Sequence, residues 1–313
     1  MTPAASAPDQ AAIELRGVDF SSAPTRRKPI TLATGRLMDL SPGAGAPVAV
    51  QSLAVQSLAV QSLGVELPGV QLLGLRRLET LAEFAASLAE PGPWVGGFDF
   101  PFGLPRELIQ ALAPALGWPQ DDWAGLMRHY GRLERDEVRA HFDAFRAARP
   151  VGQKFAHRAC DARSGASPSM KLVNPPVALM MHAGVPPLIE AGCQLPGLRE
   201  GDPQRVALEA YPGLLAREFL GRRSYKGDGR AARDDPGRRQ ARVDLLDALA
   251  AGNGRLGLRL VLDQAQRRTL IDDGQADLLD AVLCLLQAAW AALKPGWGLP
   301  ADMDPIEGWI VSA

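Results

Sequence analysis

The side chains most able to carry out chemistry in this sequence are carboxylates that follow short apolar segments. Asp19 lies in IELRGVDF (13–20), Asp99 lies in WVGGFDF (94–100), and Glu209 lies in VALEA. A carboxylate at the end of a buried strand is unfavourable unless it is paired, hydrogen-bonded or bound to a metal. Several such carboxylates in one chain predict that their side chains meet in one site.

Asp277 and Asp280 form a further acidic pair near the start of an apolar helix expected over residues 275–293. Their spacing of three residues places the two side chains on neighbouring faces of that helix. Carboxylate oxygens are the ligands that hard cations such as Mg²⁺ and Mn²⁺ prefer. Two such cations about 3.5–4 Å apart can hold a phosphodiester and promote its cleavage. The five acids therefore predict a metal-dependent site, although each alone could instead cap a helix or pair with an arginine.

Basic and polar residues in a central segment could bind the phosphates of a substrate. The segment spans residues 151–187, is rich in Gly, Ser and Pro, and is expected to be a long ordered loop with a functional role. It carries Lys154, Arg158, Lys171 and Asn174, whose side chains can donate hydrogen bonds to phosphate oxygens. The alternative is that these are ordinary solvated loop residues.

A second candidate for substrate binding is the basic segment 222–242. It contains eight Lys or Arg and three Asp, which gives a local net charge of +5. Within it, Tyr225 and Lys226 combine an aromatic ring with a positive charge, a pair suited to base stacking and phosphate contact. A solvated surface loop is again the alternative.

The elements expected to position these residues are strands gathered early, followed by strands that alternate with helices. This order predicts a mixed sheet with helices packed on it. Strands are expected over 13–20, 30–40, 70–78, 94–100, 206–210 and 306–311, and helices over 79–89, 105–113, 120–150, 241–250, 262–272 and 275–293.

The chain has no obvious linker and is expected to form a single domain over residues 13–313, after a disordered N-terminus over 1–12. The tandem repeat VQSLAVQSLAVQSLGV (50–65) has too short a period for a solenoid and is interpreted as an insertion.

The composition is that of an ordinary globular protein, with 47% hydrophobic and 22% charged residues among 313. The net charge of −1 gives no overall attraction to nucleic acid or to an anionic membrane. A nucleic-acid contact would therefore need a local basic patch or metal ions. Three scattered cysteines and the lack of a signal-peptide pattern predict a cytoplasmic protein without membrane contact.

Several motifs, taken together and in order, resemble a known family. They are GVDFSSAP (17–24), GFDFPFGLP (97–105), KLVNPPVALMMHAGVPPLIEAG (171–192), ALEAYPG (207–213), SYK (224–226), DDGQADLLDAVLCLLQAAW (272–290) and EGWI (307–310). The set is similar to the DUF429 family, whose members are described as predicted nucleases with an RNase H-like fold. The resemblance covers nearly the whole chain from about residue 13, and the pentapeptide repeat lies outside its pattern.

This resemblance implies an α/β protein of the RNase H-like class, with a mixed β-sheet, helices on both faces and insertions. Such folds place one Asp on the first strand, a second acid on the fourth strand, and one or two acids at the start of a late helix. The corresponding positions here are Asp19, Asp99 and the Asp277/Asp280 pair, with Glu209 as an additional acid. All five are expected to be catalytic, and all except Asp277 are expected to bind Mg²⁺ or Mn²⁺.

The function expected from these residues is metal-dependent hydrolysis of phosphodiester bonds in nucleic acid or in a small phosphodiester. One alternative is a non-catalytic nucleic-acid-binding or scaffold protein, in which the acids only cap helices and form ion pairs. A less favoured alternative is an ATP-dependent phosphotransferase, which needs glycine-rich phosphate loops. Asp19 is followed by Phe-Ser-Ser-Ala-Pro, and no Walker-type loop occurs elsewhere in the sequence, so nucleotide binding is disfavoured.

Overall fold

A computed structural model of the chain describes residues 13–38 and 67–313. The strands in these ranges form one seven-stranded sheet. They are β1 (Glu14–Asp19), β2 (Ile30–Met38), β3 (Gly69–Leu78), β4 (Trp94–Asp99), β5 (Cys193–Gln194), β6 (Asp202–Glu209) and β7 (Arg259–Val261). Their order across the sheet is β5-β6-β4-β1-β2-β3-β7, and β2 is antiparallel to both neighbours while the other pairs are parallel.

Helices occupy most of the remaining described chain. They are α1 (Leu81–Leu88), α2 (Arg106–Leu116), α3 (Trp123–Arg132), α4 (Arg135–Ala147), α5 (Ala159–Ser164), α6 (Val177–Glu190), α7 (Pro212–Leu220), α8 (Arg230–Arg233), α9 (Pro236–Ala250), α10 (Gln264–Asp272) and α11 (Asp277–Ala292). In the described part of the chain, none of them is both long and apolar enough to cross a membrane.

The sheet has a hydrophobic core on each face, because successive strand residues point in opposite directions. On β4, Phe98 packs into a core shared with α1 to α4 and α6, whereas Val95 packs into a core shared with α7, α9, α10 and α11. On β1, Val18 and Leu15 divide in the same way. The prediction of a mixed α/β protein with helices on both faces is therefore confirmed.

Helix α11 is the central element of the second core. Fourteen of its residues are buried, in agreement with the apolar helix predicted over 275–293. It crosses β1 and β4 at unusually short range. A Cβ atom built on Gly17 would lie 2.0 Å from the Ala281 carbonyl oxygen, and one on Gly97 would lie 2.4 Å from that of Cys284. Only glycine at both positions allows the helix backbone to approach the two strands so closely.

Four local predictions differ from the structure. The helical stretch expected over 120–150 is two helices, α3 and α4, because Leu133 between them has an extended backbone. Helix α2 does not stop before Pro114 but continues to Leu116; Pro114 removes one backbone donor, and the Gly117 N–H closes the helix by donating to the Ala113 carbonyl oxygen. Residues 306–311 do not form a strand; Ile310 makes a single bridge to Glu209. The segment 151–187 is more ordered than a loop, since it contains α5 and most of α6.

Two predictions about organisation fall on parts of the chain that the structure does not cover. The disordered N-terminus predicted over 1–12 and the repeat insertion predicted over 50–65 both lie outside the described residues.

Candidate functional site: a carboxylate cluster at the sheet edge

Asp19 and Asp99 lie side by side at the C-terminal ends of two adjacent strands. Strands β1 and β4 are parallel, and their register pairs Asp19 directly with Asp99. Both side chains are partly exposed and lie within hydrogen-bonding reach of each other. Since each Asp stands two residues after a glycine that contacts α11, both carboxylates point to the face on which that helix lies. The convergence of these two acids was expected from the sequence.

Helix α11 brings a third carboxylate to the pair. Asp280 lies in its first turn and is fully buried. The start of the helix is fixed to the sheet because the Thr31 hydroxyl donates to the Asp277 carbonyl oxygen at 2.7 Å. Thr31 is itself the neighbour of Asp19 on β2. The helix and the two strands thus hold Asp280 against Asp19 and Asp99.

Both oxygens of Asp280 are bound by side chains of the segment between α7 and α8. The Tyr225 hydroxyl donates to Oδ1 at 2.5 Å, and the Lys226 ammonium donates to Oδ2 at 2.5 Å. The segment is held in place from behind, because Arg242 donates to the Tyr225 carbonyl oxygen at 2.8 Å and Arg238 donates to that of Lys226 at 2.5 Å. Tyr225 and Lys226 therefore belong to the carboxylate cluster.

The carboxylates strongly perturb one another. Burial, together with repulsion from Asp280 and Asp277, raises the pKa of Asp19 well above its usual value. Burial raises the pKa of Asp99 to about 7, an increase that Lys226 opposes and Asp280 reinforces. Clustered acids with raised pKa values are typical of sites that bind a cation or transfer a proton.

Asp277 is the outer member of the cluster. Its side chain is partly exposed, and burial with repulsion from Asp280 and Asp273 raises its pKa to about 6. Lys28, in the turn between β1 and β2, lies near enough to oppose that increase. Asp277 also stands at the helix N-terminus, where the macrodipole favours a negative charge. We define the carboxylate cluster as Asp19, Asp99, Asp277 and Asp280.

Glu209 has a different environment from the other predicted acids. It is buried, and Arg158 binds both of its oxygens, with Nη2 to Oε1 at 2.6 Å and Nη1 to Oε2 at 2.8 Å. The backbone N–H of Phe102 also donates to Oε2 at 2.9 Å. Arg158 is 1% exposed and makes further bonds to Asp161 and to the Glu307 carbonyl oxygen. The pair lies in the interior, and its contacts are those of a structural ion-pair network that joins β6 to the C-terminal segment.

The remaining predicted substrate-binding residues lie on the surface. Lys154 and Asn174 are exposed. Lys171 is half-buried, and its ammonium donates to the Asn174 carbonyl oxygen at 2.6 Å and to Ser167 at 3.3 Å. Within the described chain, none of these three side chains forms a hydrogen bond or an ion pair with the carboxylate cluster.

Basic residues from two distant segments lie beside the carboxylate cluster. Arg26, Arg27 and Lys28 are exposed in the turn that links β1 to β2. Lys28 Nζ lies 3.7 Å from Asp228, two residues beyond Lys226. We call the exposed residues Arg26, Arg27, Lys28, Lys226 and Arg233 the basic rim; Arg233 belongs to it because it packs against Gly274, just before α11.

The cluster is not arranged as a finished metal cage. Across residues 13–38 and 67–313, no group of three or more His, Cys, Asp or Glu side chains converges in the way that a bound metal ion requires. The contacts offer a reason, because Tyr225 and Lys226 already occupy both oxygens of Asp280. The donor types nevertheless suit a hard divalent cation.

Four residues that hold the cluster together were not predicted from the sequence. They set the distance between the sheet, α11 and the Tyr225–Lys226 segment, and they are Gly17, Gly97, Thr31 and Arg242. A signal was present for the glycines, because each stands two residues before a candidate Asp, on the same face of its strand. No comparable signal marks Thr31 or Arg242.

Comparison with protein families matches residues 57–303 to the family described as "Protein of unknown function (DUF429)". The match includes Asp99, Lys226 and Asp280 and begins after β1, so Asp19 precedes it. No curated protein and no solved structure matches the chain. Because the family match spans well over half of the 313 residues, the chain belongs to the DUF429 family.

Proposed function

We propose that this protein is a metal-dependent phosphodiesterase that cleaves nucleic acid, built on an RNase H-like fold. The observation that carries the proposal is the pairing of Asp19 with Asp99 at the ends of adjacent strands, with Asp280 held beside them by α11. An acid on the first strand, an acid on the fourth strand and acids at the start of a late helix are the arrangement expected of that fold. The strand and helix positions of these three residues support it.

The donor set fits Mg²⁺ or Mn²⁺. Asp19 and Asp99 would hold the cation from the strands and Asp280 from the helix, with Asp277 at the outer edge. When bound, a divalent cation polarises the phosphodiester and lowers the pKa of an attacking water. The protein's own contribution is to hold three carboxylates at one point, where their mutual repulsion favours a cation. Glu209 is left out of this ligand set, because Arg158 binds both of its oxygens.

The basic rim supports a polynucleotide rather than a small phosphodiester as substrate. The phosphates that flank a scissile bond would lie next to the cluster, where Arg26, Arg27 and Lys28 are exposed. Cations at such positions bind the backbone without reading sequence. Tyr225 does not serve as a stacking platform in this proposal, because its ring is buried and its hydroxyl binds Asp280.

Calorimetric titration with Mn²⁺, followed by cleavage assays on labelled DNA and RNA, tests the proposal. We expect the wild type to bind Mn²⁺, and Asp19→Asn and Asp99→Asn each to weaken binding at least tenfold and to reduce cleavage at least about 100-fold. Asp143→Asn is the matched control, because it is an exposed acid on α4 paired only with Arg146. It should bind Mn²⁺ and cleave like the wild type.

Two results would contradict the proposal. If the folded wild type binds no Mn²⁺, even with oligonucleotide present, the cluster is not a metal site. If it binds Mn²⁺ and oligonucleotide but cleaves neither DNA nor RNA, the protein is a nucleic-acid-binding protein without this activity.

A further inference from the structure

Lys226 lies where a bound cation would be expected. Its ammonium is 2.5 Å from Asp280 Oδ2 and is close enough to Asp19, Asp99 and Asp277 to oppose the pKa increase of each of them. With Tyr225 on the other oxygen of Asp280, both oxygens of this carboxylate already accept a hydrogen bond. In this state the protein supplies its own counter-ion to the cluster.

We propose that Lys226 is the resident counter-ion of the carboxylate cluster, and that a divalent cation binds by displacing its ammonium from Asp280. The inference rests on the proposed function, because it concerns the same site. The sequence predicted that Lys226 contacts a phosphate of the substrate. The exchange gives Lys226 a second role, which is to set the affinity of the site for metal.

The geometry allows the Lys226 side chain to leave without disturbing the site. The side chain is 48% exposed, although its ammonium binds a carboxylate that is fully buried. The backbone is fixed separately, since Arg238 binds the Lys226 carbonyl oxygen and Arg242 binds that of Tyr225. Rotation about the side-chain bonds of the lysine is therefore enough to release Asp280. Tyr225 is buried and stays in place as the second contact of that carboxylate.

Charge balance gives the exchange its direction. Once its acids are ionised, the cluster holds four carboxylates and one ammonium and is short of positive charge, so a cation of charge two is favoured over one of charge one. The displaced ammonium then stands free on the basic rim. In the absence of metal, the same ammonium prevents four carboxylates from facing one another without a partner.

The test compares Mn²⁺ binding by the wild type, Lys226→Met and Lys294→Met. Methionine keeps most of the stem but removes the charge. Lys294 lies just beyond the far end of α11, about 24 Å from its start at 1.5 Å per residue, so Lys294→Met removes the same charge away from the site. We expect Lys226→Met to bind Mn²⁺ about tenfold more tightly than the wild type, and Lys294→Met to be unchanged. Equal or weaker Mn²⁺ binding by folded Lys226→Met would overturn the exchange.

Thermal unfolding in EDTA at pH 8 tests the counter-ion role without metal. Lys226→Met should unfold at a lower temperature than the wild type, and this deficit should disappear in the background of Asp280→Asn. An equal deficit in both backgrounds would show that Lys226 stabilises the fold in some other way and would overturn the counter-ion role.

The two experiments together separate the proposals. If no variant binds Mn²⁺ but the loss of thermal stability in Lys226→Met depends on Asp280, the metal proposal and the exchange fail together, while the counter-ion role stands. If Mn²⁺ binds with equal affinity to Lys226→Met and to the wild type, the exchange alone fails.

Discussion

At the scale of single residues, the cluster places charge where the fold does not favour it. Asp99 has a pKa of about 7 in the folded protein, against 3.8 ordinarily, chiefly because it is buried. The folded protein therefore binds more protons than the unfolded chain between about pH 4 and pH 7. It follows that stability falls as the pH rises through that range. Such a site is kept for what it binds rather than for the stability of the fold.

Replacement of Asp99 by Asn should therefore stabilise the metal-free protein at neutral pH and above. At pH 8 in EDTA we expect Asp99→Asn to raise the free energy of unfolding by about 1–2 kcal/mol, after allowance for solvent screening of a partly exposed group. At pH 4 the gain should vanish, because Asp99 is then largely protonated in the folded wild type. Urea denaturation at both pH values measures the difference. A loss of stability at pH 8 would mean that the attraction of Asp99 to the Lys226 ammonium outweighs the cost of its burial.

Glu209 should behave in the opposite way. Glu209→Gln removes one of the two carboxylates that pair with the buried Arg158 and leaves only Asp161. We therefore expect a loss of about 3 kcal/mol in the free energy of unfolding. The more exposed pair of Asp202 with Arg205 gives the control, since Asp202→Asn should cost about 0.5 kcal/mol. If Glu209→Gln still folds, its Mn²⁺ affinity should stay close to that of the wild type. A stable variant that had lost Mn²⁺ would instead identify Glu209 as a ligand.

At the scale of elements, the site depends on how closely α11 approaches the sheet. The helix can bring Asp280 to the strand carboxylates only because Gly17 and Gly97 have no side chain. The clash expected at Gly17 is with the helix backbone, which cannot move aside as a flexible side chain can. The two strands and the helix thus act as one unit, and a change in their spacing changes the site.

Gly17→Ala should test this unit directly. We expect it to lower the free energy of unfolding by about 3 kcal/mol or more, and to weaken Mn²⁺ binding in whatever fraction remains folded. Gly69→Ala is the matched control on β3, because a Cβ there would meet only side chains, at 3.5 Å or more. Its effect should stay within about 0.5 kcal/mol. If Gly17→Ala is as harmless as Gly69→Ala, close helix packing does not position the cluster.

Elements with a strong local pattern were predictable from the sequence. The central strands and α11 have continuous apolar runs with acids at their ends, and the structure agrees with them to within a few residues. The two-residue β5 and the three-residue β7 were missed, because such short strands are defined by pairing with neighbours rather than by their own sequence. For the same reason the terminal strand expected over 306–311 was wrong.

The membership of the site was only partly predictable for a related reason. The meeting of Asp19 with Asp99 was predictable because each is the last residue of its strand, and the two strands are parallel neighbours that end at the same level. The pairing of Glu209 with Arg158 joins residues 51 positions apart, and the sequence marked Arg158 only as a candidate phosphate contact, not as the partner of Glu209. Lys226 carried a local signal, but its partner, Asp280, lies 54 positions away.

At the scale of the whole molecule, a nearly neutral protein presents an uneven surface. The net charge is −1, yet the β1–β2 turn and the 222–242 segment bring positive charge to one edge of the sheet. Lys28 joins the two, since it lies near Asp228 and also near Asp277. Such local asymmetry can guide an anionic polymer to the cluster even though the protein as a whole does not attract it.

Charge reversal on the rim should separate binding of a long substrate from chemistry at the cluster. We expect Arg26→Glu/Arg27→Glu to bind a labelled single-stranded oligonucleotide in EDTA at least tenfold more weakly than the wild type. The slope of the logarithm of the binding constant against the logarithm of the salt concentration should also become shallower, by the amount expected for the loss of about two phosphate contacts. Hydrolysis of bis(p-nitrophenyl) phosphate with Mn²⁺ should change less than twofold, because neither arginine belongs to the cluster. Arg128→Glu/Arg255→Glu makes the same charge change at two exposed positions, on α3 and after α9, and should leave both measurements unchanged. Equal oligonucleotide binding by the rim variant would mean that the polymer approaches the cluster from another side, whereas loss of both activities would mean that the turn supports the site itself.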